Sequence, residues 1–441
     1  MNKQRIAAAA VAVGLMVTLG ACTAPEETGD VNLVLWDSDL LSESNDDGSA
    51  VEESFLHAAA SAYEEEHPGV TIEIVSTAGS DVAETQQFQA ASIAGDGPDI
   101  RVGFTGGNTL SFSDFLIDLD GTFDEATVDE IFGWETVRDG FKSDGALRAL
   151  PYGAGSYFYV FYNKALAAEA GLDLSTPPAN WEELLEMGQQ VLDESDATPF
   201  WVANQEGYVG AWVVAALLGG QLGTSTFTDM YNGDAPVESD DLVKAYTAYA
   251  DLFADGLTNP DAGSLGNAET APGFVQGKGV FMFAGGWENV TLTEAMGDNV
   301  GVFAVPMLAS AEYPGTLAGG PSYALSITNY SEHQEEAKDF LRYLATPSVM
   351  DDYVRYFQRE ASNNRSADAS VITNPLLKQQ AEQLAAAETL VFPFDNVMPQ
   401  ATIDAFYRIN AGVFTGQISP DEAAAQLQAA FEDDADNPSN Q

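Results

Sequence analysis

The chain has 441 residues, 45% hydrophobic and 10% aromatic, which is enough for two or three ordinary domains with a sizeable core. Its 68 acidic and 16 basic residues leave a formal charge of −52, a surface that repels phosphate backbones and excludes nucleic acid as a partner. The one cysteine, Cys22, excludes an internal disulfide, and the three histidines, His57, His67 and His333, lack the spacing of a zinc site, so no metal or other cofactor is expected.

In chain order, Lys3 and Arg5 precede the apolar run 6–19, which is short for a membrane span of ~20 residues. The run ends in Leu19-Gly20-Ala21-Cys22, which resembles the lipobox of bacterial lipoproteins. That resemblance implies a signal peptide over residues 1–21, a lipid on the Cys22 thiol, and anchoring to the cell membrane on its extracytoplasmic side. Residues 22–30 are polar and read as a tether.

Residues 31–36 (VNLVLW) predict a buried strand, residues 52–66 a helix, and residues 70–75 (VTIEIV) a second strand after the His67-Pro68-Gly69 turn. A helix over 81–94 and a strand over 100–104 follow, with the Gly95-to-Asp99 turn between them. Residues 151–163 are aromatic and extended. Helices are predicted over 164–170, 181–192, 212–218 and 239–255, and strands over 279–283, 300–306 and 323–327. A helix over 333–344 and a mainly helical stretch over 382–431 complete the pattern. The alternation of strand and helix predicts two doubly wound α/β lobes, with ligands at the carboxyl ends of strands and in the cleft between lobes.

The order of short segments then becomes specific. Tyr63-to-Val70 (YEEEHPGV), Gly95-to-Ile100 (GDGPDI), Leu150-Pro151-Tyr152 with Tyr162-Asn163-Lys164, Asn180-to-Leu184 (NWEEL), Gly285-Gly286-Trp287 and Ala337-to-Leu341 (AKDFL) run in sequence. Together they resemble the extracellular solute-binding proteins of the maltose-binding type, which serve carbohydrate ABC importers. The resemblance spans nearly all of residues 31–431. It implies a type II periplasmic-binding-protein-like fold with a first lobe of residues 31–148 plus 309–346, a second of 149–308 plus 347–441, and a hinge that closes on the ligand. It also implies a monomer that presents its solute to the importer's membrane subunits, with the tether keeping it near them.

A sugar site needs aromatic planes for ring faces and polar side chains for hydroxyls. Trp36 ends the first strand beside Asp37 and Asp39, a stacking ring next to hydroxyl acceptors. Phe104 and Thr105 follow the third strand, and Tyr157 lies on the aromatic crossover beyond Tyr152. Trp287 is the leading candidate: Gly285 and Gly286 allow a tight turn at a strand end, and Glu288 opens the next helix. Gly320, Ser322 and Tyr323 form a small-residue loop before a strand, and Phe406 and Tyr407 are late aromatics. Trp134 and Trp181 read as structural; Trp201 and Trp212 fit either role. The chain departs from maltose-binding protein in having Gly103 and Gly106 where that protein has a Trp and an Asp, and Gly155 where it has a Glu.

The ligand expected is a neutral mono- or oligosaccharide, because few basic residues lie near these strand ends. Arg101 and Arg365 are the nearest basic candidates. A polyamine, another cation or a peptide is the alternative, suggested by Asp37, Asp39 and Glu288. A secreted glycoside hydrolase is a third reading, but no nucleophile elbow, His-Glu-x-x-His or phosphate loop is present, so no catalytic residue is expected.

Overall fold

The computed structural model describes residues 30–45, 51–77, 81–154 and 157–435. The signal segment, Cys22, the tether before Asp30, and Gly155 lie outside the described residues.

Strand β1 (Val31–Asp37) buries Leu33 and Leu35 completely and pairs in parallel with β2 (Val70–Ser76) and β3 (Ile100–Phe104). Helices Phe55–Glu66 and Asp81–Ala94 connect these strands, the βαβ pattern expected from the sequence. The chain continues through β4 (Leu150–Tyr152), β5 (Phe158–Asn163), β6 (Phe281–Gly285) and β7 (Val300–Ala304) to β8 (Thr316–Ala318), β9 (Tyr323–Ile327) and β10 (Thr389–Val391). The first sheet has the order β2-β1-β3-β9-β4, with β9 antiparallel to both neighbours. The second has the order β6-β5-β7, with β5 antiparallel to both. β8 and β10 form a parallel ribbon of two. The fold is thus α/β in two lobes, with a mixed first sheet and an antiparallel second one rather than purely parallel sheets.

The second sheet is covered on both faces because both sets of alternating β5 residues are apolar. Phe158 and Val160 join Phe281, Phe283 and Phe303 in the cluster built around helix Tyr208–Leu222. Tyr159 and Phe161 join Met282, Ala284 and Val302 in the other cluster, with Leu376 and Leu377 of helix Pro375–Ala386. Helix Tyr208–Leu222 has no polar face and is buried nearly throughout, as a central helix must be. Three of its glycines admit neighbours: a Cβ at Gly210 would meet Tyr249, at Gly219 Val391, and at Gly220 Met307. Among the described residues no helix is long and apolar enough to cross a membrane.

Three stretches link the sheets. The first joins β4 to β5. The second follows β8, which packs with β10 and helix Tyr208–Leu222, and leads into β9. The third follows helix Pro347–Phe357, which packs on helix Phe55–Glu66, and leads to helix Pro375–Ala386 beside β7. The sequence placed these changes of lobe at residues 148–149, 308–309 and 346–347; the packing puts residues 316–318 beside second-sheet elements and 347–357 beside first-sheet elements.

Candidate functional site

The second lobe presents a wall of aromatic rings. β6 ends at Gly285, where a Cβ would lie 1.9 Å from the Trp287 ring, so only glycine lets that ring fold back over the strand end. Trp287 is half-buried, with its centroid 5.9 Å from Trp212 and 6.4 Å from both Phe158 and Tyr208. Tyr208 in turn lies 6.1 Å from Tyr407. Gly207, at φ +75°, allows that approach, because a Cβ there would sit 1.9 Å from the Tyr407 carbonyl oxygen. The Tyr407 hydroxyl donates to Asp395 Oδ2 at 2.9 Å. Burial pushes the Asp395 carboxyl up to about 6, against the pull of the hydrogen bond from Tyr407. Burial also raises Glu288, next to Trp287. Among the described residues no ion pair involves either carboxylate.

The first-lobe candidates divide. The Trp36 ring packs with Phe88, Phe112 and Leu116 at the end of β1 and stays half-buried. Asp37 is wholly buried and its oxygens are taken by its own loop: the backbone N–H groups of Leu40, Leu41 and Ser42 donate to it, as does Ser42 Oγ at 2.6 Å. Burial outweighs these bonds and raises its pKa. Asp37 therefore shapes the loop rather than offering free acceptors. Asp39 is exposed, at φ 61°, and accepts from Ser44 Oγ at 2.9 Å and Ser76 Oγ at 3.3 Å. Phe104 is half-buried, 6.0 Å from Tyr323. Thr105 is buried and its hydroxyl donates to the Pro321 carbonyl.

The loop after β3 meets the second lobe directly. Gly106 stands at φ +75°, and a Cβ there would lie 1.9 Å from the Asn396 carbonyl oxygen and 2.8 Å from the Phe392 ring. This contact brings the Phe104–Gly106 loop to the segment that carries Asp395. Behind it, Arg101 is fully buried and pairs with Glu84 at 2.7 Å. Asn108 Oδ1 accepts from Arg101 at 3.0 Å and from the Phe104 N–H at 3.1 Å, which holds the loop's shape. Arg101 is thus a structural cation with partners rather than an anion receptor.

The remaining candidates lie where the lobes join. Ser322 Oγ and the Tyr323 hydroxyl donate to Glu360 at 2.7 and 3.3 Å, and Gly320 backs onto Phe392. Tyr157 is buried in the core and its carbonyl accepts from the Gly286 N–H. Trp181 stacks on Phe283 and Trp134 packs on Phe123, in the structural roles expected; Trp201 donates to the Glu269 carbonyl. Phe406 faces the core against Phe394, and only its neighbour Tyr407 reaches the wall.

Sequence reasoning missed Tyr208 and Asp395 and left Trp212 undecided. Helix Tyr208–Leu222 is apolar all round, so no periodicity says which ring leaves the core. Asp395 is one of 68 acids and stands out only once Tyr407 is beside it.

Comparison with known proteins agrees with this architecture. The chain is 25% identical over 202 residues to the multiple sugar-binding protein of Streptococcus mutans, covering 44% of this chain and 46% of that protein. It is 24% identical over 241 residues to a xylose/arabinose-binding protein of Haloferax volcanii, covering 53% and 50%. The chain thus spans about half the length of the curated relatives it matches. Among solved structures, a chitin oligosaccharide binding protein superimposes with a TM-score of 0.76 at 20% identity, covering 92% of this chain and 98% of that one. A probable secreted solute-binding lipoprotein from Streptomyces coelicolor gives 0.75 at 20% identity, covering 92% and 100%. The sequence profile of the bacterial extracellular solute-binding proteins matches residues 47–351, more than half of the chain, and the chain belongs to that family.

Proposed function

We propose that this protein captures a neutral mono- or oligosaccharide between its lobes and delivers it to the membrane subunits of an ABC importer. The observation that carries the reading is the wall of half-buried rings Tyr208, Trp287 and Tyr407, backed by the buried Trp212, with Asp395 bonded to Tyr407. Rings offer planes to sugar faces, and a carboxylate without an ion-pair partner accepts from hydroxyls. The names of the curated relatives, a multiple sugar-binding protein and a xylose/arabinose-binding protein, support a carbohydrate.

On this reading the protein acts outside the cytoplasm as a monomer, held to the membrane by a lipid on Cys22, and binds without transforming its solute. Trp36, Asp39 and Phe104 complete the site from the first lobe. The first lobe comprises residues 31–152 with 323–357, and the second 158–318 with 375–435, with hinge segments between. Two carboxylates at the aromatic wall, Asp395 and Glu288, are raised by burial and belong to no described ion pair, which favours one second reading: a polyamine or other cation. A titration followed by tryptophan emission separates the two. Neutral sugars change the emission with an affinity nearly indifferent to salt, whereas a cationic ligand weakens as salt rises. Saturable binding of spermidine, with no response to any sugar, contradicts the first reading.

A further inference from the structure

Two adjacent residues stand where the three inter-lobe stretches meet. Glu360, on the third stretch, is 3% exposed. Its carboxylate accepts from Ser322 Oγ on the second stretch at 2.7 Å, from the Tyr323 hydroxyl at 3.3 Å, and from the Tyr353 hydroxyl at 2.8 Å. The first stretch passes so close that a Cβ at Gly153 would lie 3.0 Å from Glu360 Oε2, and Ala154 bridges to Ala361 beside it. One carboxylate therefore stands against all three connections between the lobes.

Arg359 extends the junction to both sides of the cleft. Its Nη2 donates to the Leu40 carbonyl at 2.7 Å and to the Tyr323 hydroxyl at 3.0 Å. Leu40 belongs to the loop that Asp37 holds, just beyond Trp36. The guanidinium also lies 4.0 Å from the Phe357 ring centroid. On the other side, the Arg359 carbonyl accepts from Asn289 Nδ2 at 3.1 Å, two residues after Trp287, and Asn289 exchanges side-chain hydrogen bonds with Gln380 at 2.6 and 3.0 Å.

We infer that Arg359 and Glu360 are positioning residues that set how the two walls of the solute site face each other. They reach the first-lobe loop and the Trp287 turn through hydrogen bonds of fixed direction. Loss of the carboxylate removes the bonds from Ser322, Tyr323 and Tyr353 at once and the packing against Gly153, so the lobes sample a wider range of angles with each lobe still folded. The inference rests on the two-lobed solute-capture reading, but its test needs no solute.

The experiment uses the full chain with Cys22→Ser and spin labels at Ile93→Cys and Leu192→Cys, two exposed positions on helices of opposite lobes. The distribution of inter-label distances is measured without ligand. Glu360→Ala is expected to widen it about twofold, Glu360→Gln to restore part of the wild-type width, and Glu335→Ala, an exposed acid on another helix, to leave it unchanged. Should Glu360→Ala fail to fold by circular dichroism, Ser322→Ala and Tyr353→Phe each remove one bond, and the expectation is a smaller widening in each. A wild-type width in folded Glu360→Ala, or in both single-bond variants, overturns the inference. Because no sugar is present, that failure is distinct from a failure of the solute assignment.

Discussion

At the scale of single residues, the proposed solute site turns on Trp287 and Asp395. The sequence marked Trp287 through the two glycines before it, because a tight turn at a strand end exposes the next ring. It could not mark Asp395, whose identity as a site group depends on Tyr407 and on burial. Asp395 also gives the protein a particular pH response. Its carboxyl titrates at about 6 in the folded state and from a reference value of 3.8 when unfolded. Between these values the folded protein holds a proton that the unfolded chain has released, so this residue's contribution to stability falls as pH rises through the window. Asp395→Asn keeps an oxygen for the Tyr407 hydroxyl and removes the titration. Its stability relative to wild type, measured by denaturant unfolding, should rise from about pH 4 to about pH 6 and then level off; a constant difference across the window contradicts this assignment. Solute affinity should change in the same window in wild type and not in the variant, because a protonated carboxyl is the poorer acceptor for hydroxyls.

At the scale of elements, the strands were largely legible because their apolar runs are short and bounded by turns. β1, β3 and β9 begin where the pattern begins. The short ribbon of β8 and β10 was not legible: three residues each carry no periodicity, and their partners are far apart in sequence. Helix Pro347–Phe357 was missed as well, although a proline at the first helical position, here Pro347, is a sequence signal for a helix start. The loop after β3 yields an element-level prediction. Gly106→Val places a branched side chain against the Asn396 carbonyl and the Phe392 ring. The lobes then cannot meet as they do here, and calorimetric affinity for a sugar ligand should fall about tenfold or more. Gly121→Val is the control, because Gly121 has a similar φ of +78° with nothing within 4 Å. It carries the backbone strain without the clash, and equal losses of affinity in both variants would contradict the contact's role.

At the scale of the whole molecule, composition spoke first and most broadly. A net charge of −52 on one chain means mutual repulsion among carboxylates, which salt screens. The thermal midpoint is therefore expected to rise with sodium chloride from about 0.01 M, where the screening length is about 30 Å, to about 1 M, where it is about 3 Å. An unchanged or falling midpoint would show that the acids are spaced widely enough not to matter. The two-lobed fold was legible from the order of short segments; the changes of lobe that we propose rest on where β8 and helix Pro347–Phe357 pack, which no local pattern shows. The most direct test of sugar capture at the aromatic wall is a thermal-shift comparison of the full chain and its Trp287→Ala variant against neutral mono- and oligosaccharides. A solute that binds only the folded state at ~100 times its dissociation constant adds about 2.7 kcal/mol. At least one sugar is predicted to raise the wild-type midpoint, and Trp287→Ala to lose the shift. A shift that survives intact in Trp287→Ala, or one given by polyamines and by no sugar, contradicts that claim.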